Sequence, residues 1–271
     1  MAMLDPQDRS ARGAALQAKI YGAAPAEPRT PWQESVRDFV YAECWSRPGL
    51  DLRTRLLIAL AGSALFAFPQ ETIDGVVKGA LITGELTLGE LREVALHLSV
   101  YGGWGRGGLI DSAATRVAAE LGLPPAECAP IRAAPWDPEE RTRQGMAEFV
   151  NVMTFSGGPS VTPYLEGINN FVFGEMWCRY GGLDQRSRRW LTLVGVCEST
   201  AEVPMKSHIH AAMASGNCQP SELQEFVLAF GLCAGWPRAS VVQSIVFEQI
   251  RNIENGWPWS GEPARTPGGA A

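Results

Sequence analysis

Few side chains in this chain are equipped to move protons. The histidines are His97, His208 and His210, and one acidic residue, Glu198, interrupts the apolar run WLTLVGVCES. His208 lies one helical turn after Met205 and one before Ala212, at the edge of an apolar stripe. A neutral imidazole there can transfer a proton near pH 7. The same position also suits a core histidine held by a hydrogen bond. Glu198 falls on the face of Leu191 and Val194. The expectation is a desolvated carboxyl with a raised pKa, suited to general-acid work; the alternative is a helix-end Glu turned to solvent. His210 is two residues beyond His208, about 200° around a helix, so the two do not share a pocket. Helical metal pairs sit at i, i+3 or i, i+4, so no metal is expected, and His210 is expected to be exposed or at a subunit contact.

The six cysteines, Cys44, Cys128, Cys178, Cys197, Cys218 and Cys233, include no CxxC and no zinc-finger spacing. They read as reduced thiols. A nucleophilic Cys233 needs an activating base or cation, and the sequence names none.

The elements that must position these groups are helices, and they recur. Residues 39–55 read FVYAECWSRPGLDLRTR and residues 171–188 read FVFGEMWCRYGGLDQRSR. Phe39, Trp45 and Arg47 reappear 132 positions on as Phe171, Trp177 and Arg179, and one extra residue carries Asp51 and Arg55 onto Asp184 and Arg188. Downstream, ELREVALHLSVYGGWGR at 90–106 matches ELQEFVLAFGLCAGWPR at 222–238. A period this long indicates duplication of a small domain and not a solenoid. Apolar periodicity and glycine stops predict helices over 56–68, 72–83, 88–101 and 107–121, and again over 185–198, 204–215, 221–233 and 239–255. No segment alternates as a strand does. In the first copy the His208 position is Val76 and the Glu198 position Leu65, so one site is degenerate. Glu90, Glu93, Glu222 and Glu225 recur in both copies and read as structural, with Glu93 and Glu225 expected to pair with Arg55 and Arg188.

The 271 residues are 46% apolar and 19% charged, with net charge −6. An acidic chain without a Lys/Arg run does not attract nucleic acid. The apolar stretch 56–69 is shorter than the ~20 residues of a membrane span. With no signal pattern at the N-terminus, the expectation is a cytoplasmic protein bound to neither nucleic acid nor membrane.

WSRPGLDLRTR, an apolar helix, a short helix ending in Gly, and a Glu-Leu-x-Glu helix running into Tyr-Gly-Gly-Trp together resemble the carboxymuconolactone decarboxylase family, of the alkylhydroperoxidase-D-like fold. In the second copy HIHAAMASG at 208–216 is similar to the family's His-Ile-x-x-Ala-Leu-x-x-Gly segment, and GWPRA at 235–239 to its Gly-x-Pro-x-Ala turn. The resemblance implies an all-α fold of two such repeats related by a pseudo-twofold. It also implies His208 as the active-site histidine and a homo-oligomer, with a trimer of tandem chains as the natural guess. The related thiol peroxidases need a CxxC shortly before that histidine, and residues 201–207 hold no cysteine.

The domain reading is therefore a flexible tail at 1–30, a first repeat at 31–133 with a degenerate site, a second repeat at 134–260 with the candidate site, and a tail at 261–271. His208 and Glu198 are the catalytic candidates. Arg188, Trp236, Cys233, His97, Tyr101 and Trp177 are the substrate-binding candidates, His97 and Tyr101 reaching across from the first repeat. The expected activity is cofactor-independent, metal-free lyase or decarboxylase-like proton transfer on a small carboxylated lactone or β-keto acid. The alternatives are an isomerase or cyclase of secondary metabolism on the same fold, or a non-catalytic binding or scaffold protein.

Overall fold

A computed structural model describes residues 5–131 and 137–263, and within them every regular element is a helix. The first set is α1 (Pro6–Tyr21), α2 (Pro31–Ser35) running into a π-helix π1 (Val36–Trp45), α3 (Leu52–Leu65), α4 (Gln70–Ile82), α5 (Leu88–Gly102) and α6 (Trp104–Glu120). The second is α7 (Pro138–Met153), α8 (Pro163–Gly167), π2 (Ile168–Trp177), α9 (Gln185–Ser199), α10 (Glu202–Ala214), α11 (Pro220–Ala234) and α12 (Trp236–Glu254). Each member of the second set begins 132 positions after its counterpart, except α9, which begins 133 after α3.

The helix starts follow from local chemistry. Asp5 and Asp137 cap α1 and α7 ahead of a proline at the first helical position. Thr30 and Thr162 do the same for α2 and α8. Asp51 accepts the Thr54 N–H to cap α3, and Asp184 the Ser187 N–H to cap α9. Such oxygens satisfy amides left free at a helix N-terminus, and proline there gives up no needed donor.

The expected flexible tail at 1–30 is corrected, since residues 6–21 form α1. Ile20 is fully buried, and α1 packs on π1 so closely at Gly13 that the Arg37 carbonyl leaves no room for a Cβ. The Pro, Gly and Ala content that suggested a tail serves a cap and a close helix crossing. The 133/134 boundary and most of the C-terminal tail fall outside the described residues.

The two sets share one core. Helix α3 packs on α9, α5 on α9 and α11 on α3. One continuous cluster of buried side chains includes Leu56, Leu60, Leu98, Leu193, Phe230 and Val246. Of the recurring carboxylates, Glu90 and Glu222 pair within their own set, with Arg53 and Arg186, while Glu93 and Glu225 pair across the two. Glu93 of α5 receives Arg179 Nε (3.0 Å) and Arg188 Nη2 (3.0 Å). Glu225 of α11 receives Arg47 Nε (2.7 Å) and lies 4.0 Å from Arg55. The expected pairing of Glu93 and Glu225 with Arg55 and Arg188 thus occurs with the partners exchanged. Rings cross in the same way: Trp104 lies against Phe171, and Trp236 against Phe39. Among the described residues, no helix is long and apolar enough to cross a membrane.

Candidate active site

Glu93, His97 and Tyr101 follow one another at i, i+4 and i+8, so α5 presents all three on one face. That face meets α9 where Arg188 and Thr192 stand. Arg188 bonds Glu93, the Arg179 carbonyl (2.6 Å) and the Leu183 carbonyl (3.2 Å), and its Nη1 lies 3.4 Å from His97 Nδ1. A guanidinium only donates, so His97 Nδ1 accepts, and its Nε2–H is left to donate to Thr192 Oγ1 at 2.9 Å. His97 is fully buried. Desolvation, followed by the charges of Arg188 and Arg189, holds its pKa well below the ordinary histidine value.

Tyr101 continues the row outward. Its phenol oxygen accepts the Trp177 indole N–H at 2.9 Å, and burial raises its pKa against the opposing effect of that bond. Its backbone side sits against α9 at Gly195, where a Cβ would come within 2.7 Å of Tyr101 Cβ. The Tyr101 ring stands edge-on to His208 of α10, with centroids 5.7 Å apart at 88°. His208 is 8% exposed and its Nδ1 has no hydrogen-bond partner. Burial, and after it the Arg189 charge, press its pKa down to about 3, so the imidazole is neutral at ordinary pH.

His208 and Tyr101 open onto a cavity of about 480 Å³. Phe149, Phe155, Phe173, Tyr164 and Trp259 furnish its aromatic wall. Its remaining polar side chains are Ser199 and Ser207, and among the described residues no charged side chain lines it. A second cavity of about 480 Å³ lies where residues 127–130 pass over 174–182; its charged walls are Glu90, Glu93, Glu127, Glu175 and Arg179, and it contains no histidine.

Of the residues expected from the sequence, His208 and Tyr101 line the first cavity, with His97 and Trp177 directly behind Tyr101. Arg188 is fully buried and engaged by Glu93 and two carbonyls, so it braces the α5–α9 contact. The expectation of a desolvated Glu198 is corrected. It is the next-to-last residue of α9, its side chain is 32% exposed, it stands 3.8 Å from Arg238, and it is not part of the cavity wall. Cys233 is also elsewhere. A Cβ at Gly62 would lie 2.6 Å from its sulfur, and burial pushes its thiol up to about 12. Trp236 is half exposed at the start of α12, against Phe39. His210, expected to be exposed or at a subunit contact, is buried within the chain, with Nε2 3.0 Å from the Trp257 carbonyl. Among the described residues, no three His, Cys, Asp or Glu side chains gather as metal ligands.

Arg189 and Thr192 carry a part of the site that the sequence reading passed over. Arg189 is fully buried, donates to the Val152 carbonyl at 2.6 Å, and lies 5.2 Å over the Trp177 ring. Its Nη1 has no partner, and burial lowers its pKa to about 10. The signal was available. With Arg188 matched to Arg55, Arg189 stands opposite Leu56 and Thr192 opposite Ala59, each a polar residue facing an apolar counterpart.

The all-helical fold and the α5–α9 brace set a buried histidine and tyrosine side by side on a largely apolar cavity of small-molecule size. No family model matches the chain. The 4-carboxymuconolactone decarboxylase of Acinetobacter baylyi is 33% identical to it over 94 residues, covering 35% of this chain and 69% of that protein. The chain belongs to the carboxymuconolactone decarboxylase family.

Proposed function

We propose that this chain is a cofactor-independent, decarboxylase-like enzyme that works by proton transfer through His208, on a carbonyl compound with one activated carboxyl group such as a β-keto acid. The observation that carries the reading is the neutral imidazole of His208, its Nδ1 without a hydrogen-bond partner, on a largely apolar wall beside Tyr101. The acid enters and gives its carboxyl proton to His208. The carbon–carbon bond to the carboxylate breaks, carbon dioxide leaves, and the electron pair passes into the neighbouring carbonyl as an enolate. Tyr101, already accepting the Trp177 N–H, donates its own O–H to the enolate oxygen. The imidazolium returns its proton to carbon, and every proton is accounted for. An imidazolium disfavoured by burial becomes tolerable only beside such an anion, which couples protonation of His208 to the presence of substrate.

That no charged side chain among the described residues lines the wall favours a second reading, proton relocation on a ketone without loss of carbon dioxide, as in an isomerase or cyclase. The test uses 2-oxocyclohexane-1-carboxylate, with carbon dioxide release followed above the spontaneous rate. Acceleration that His208→Gln removes supports decarboxylation. Incorporation of deuterium at the α-carbon of cyclohexanone, with no faster release of carbon dioxide, supports the second reading. Neither signal, or both undiminished in His208→Gln, would falsify His208 proton transfer.

A further inference from the structure

We infer that the natural ligand of the His208 cavity is a largely apolar, ring-bearing molecule with at most one acidic or carbonyl terminus, and not a compact polycarboxylate. This rests on the reading that the His208 cavity is the working site.

The cavity's size, about 480 Å³, lies within the range of about 300–1,000 Å³ usual for small-molecule sites. Tyr101 and His208 stand edge to face, so a single oxygen-bearing group can reach both. Five further aromatic rings line the same cavity. Phe149 lies edge-on to Phe155 and to Phe173, with centroids 5.6 and 4.8 Å away, and Trp259 tilts over Phe155 at 6.0 Å. Such an array presents ring faces and edges and suits a planar ligand by offset or edge-on stacking.

What the wall lacks is equally specific. Two neighbouring cations of the described residues do not line it: Arg188 is held by Glu93, and Arg189 is spread between the Val152 carbonyl, Asn217 and the Trp177 face. One carboxylate can share a proton with His208 and be tolerated. A second or third would be stripped of water with no counter-charge, which is costly in an apolar enclosure. The polar cavity at 127–130 and 174–182 is a poor alternative seat for polyanions, because among the described residues its walls carry four carboxylates against the single guanidinium of Arg179.

The test compares two ligands of one ring size, 2-acetylnaphthalene and naphthalene-2,6-dicarboxylate, by quenching of tryptophan fluorescence in the full chain at pH 7. The expected result is that the neutral ketone binds more tightly by about tenfold or more. The quench should shrink in Trp259→Phe, whose ring lines the cavity. Val203 is exposed and lines the cavity near its opening, so Val203→Arg should fold as the parent does and narrow the preference by strengthening dicarboxylate binding. Equal or tighter binding of the dicarboxylate to the parent chain, no quench by either ligand, a quench unaltered in Trp259→Phe, or a preference unmoved by Val203→Arg overturns the inference. Binding is read without turnover. Failure of the decarboxylation assay with the ketone preference intact counts against His208 chemistry alone, and the reverse pattern counts against the ligand class alone.

Discussion

The Tyr101 region and its counterpart around Cys233 are built on the same helices in the same order, yet they hold opposite chemistry. On one side α5 sends His97 and Tyr101 against Thr192 and Arg189 of α9, with His208 of α10 completing the group. On the other, α11 packs on α3, with Ala229 and Cys233 in the positions of His97 and Tyr101, Ala59 and Leu56 in those of Thr192 and Arg189, and Val76 of α4 in the histidine position. Five polar positions have become apolar or nearly so. The supports have not changed: Glu93 with Arg179 and Arg188 is matched by Glu225 with Arg47 and Arg55. The difference teaches that the crossed ion pairs belong to the architecture, while the His–Tyr–Thr–Arg group is surplus to it. A buried cluster of that polarity is expensive to hold and is dispensable for packing, as the other side demonstrates.

The largest effect expected from breaking the comparison is on turnover. His208→Gln should lower the proton-transfer rate by about 10²–10⁴-fold, the span of a general acid–base group, while Val76→Ala on the matching side leaves it unchanged. Rates on 2-oxocyclohexane-1-carboxylate, alongside thermal melts of both variants, would check this. Equal losses in the two variants would mean that His208 acts through packing.

The next largest effect concerns the shared supports. Glu93→Gln leaves Arg188 buried without its anion and takes from Arg179 one of its two carboxylates, and should cost about 3–5 kcal/mol. Glu225→Gln should cost less, because Arg47 is 31% exposed and can turn to water. Urea unfolding of both variants measures the asymmetry; equal costs would mean that the two braces are energetically alike despite their different burial.

Much of the helical frame was readable because its signals are local. Asp and Thr caps, glycine stops and apolar periodicity specify α3–α6 and α9–α12 from neighbours in the chain alone. Repetition then located His208 opposite Val76, and the α5 row of His97 and Tyr101 was correctly brought near it. Helix α1 was missed although its sequence carries Asp5, Pro6, Arg9 and Gly13, which recur as Asp137, Pro138, Arg141 and Gly145. The aromatic wall was not readable, since Phe149, Tyr164 and Trp259 come from three distant segments and converge only through tertiary packing. Glu198 failed for a different reason. Periodicity places a residue on a face, but at the last turn of a helix the side chain can leave that face for solvent.

Acidity should distinguish the two regions as well. In the folded chain His208 has a pKa of about 3, against an ordinary value of 6.5. The unfolded state therefore binds more protons between those values, so stability is fully present above about pH 6.5 and is lost as pH falls toward 3. The slope approaches about 1.4 kcal/mol per pH unit for each such histidine. His97 is shifted in the same direction. His208→Val, which copies the other region, should flatten the fall in urea midpoint between pH 7 and pH 5. A fall as steep as the parent's would assign the acid sensitivity to His97 or to the carboxylates.

The smallest effect is expected at Glu198, and its smallness is informative. A carboxyl that served as the general acid would have to touch the substrate, and its loss would cost orders of magnitude in rate. Here the side chain is about one-third exposed, faces Arg238 across 3.8 Å and is not part of the cavity wall. An exposed pair of that length contributes about 0–1 kcal/mol. Glu198→Gln should therefore change stability by no more than about 0.5 kcal/mol and leave the rate close to the parent's. A rate loss approaching that of His208→Gln would show that the carboxyl swings into the cavity when substrate binds, and it would restore the paired acid–base site in place of one centred on His208 and Tyr101.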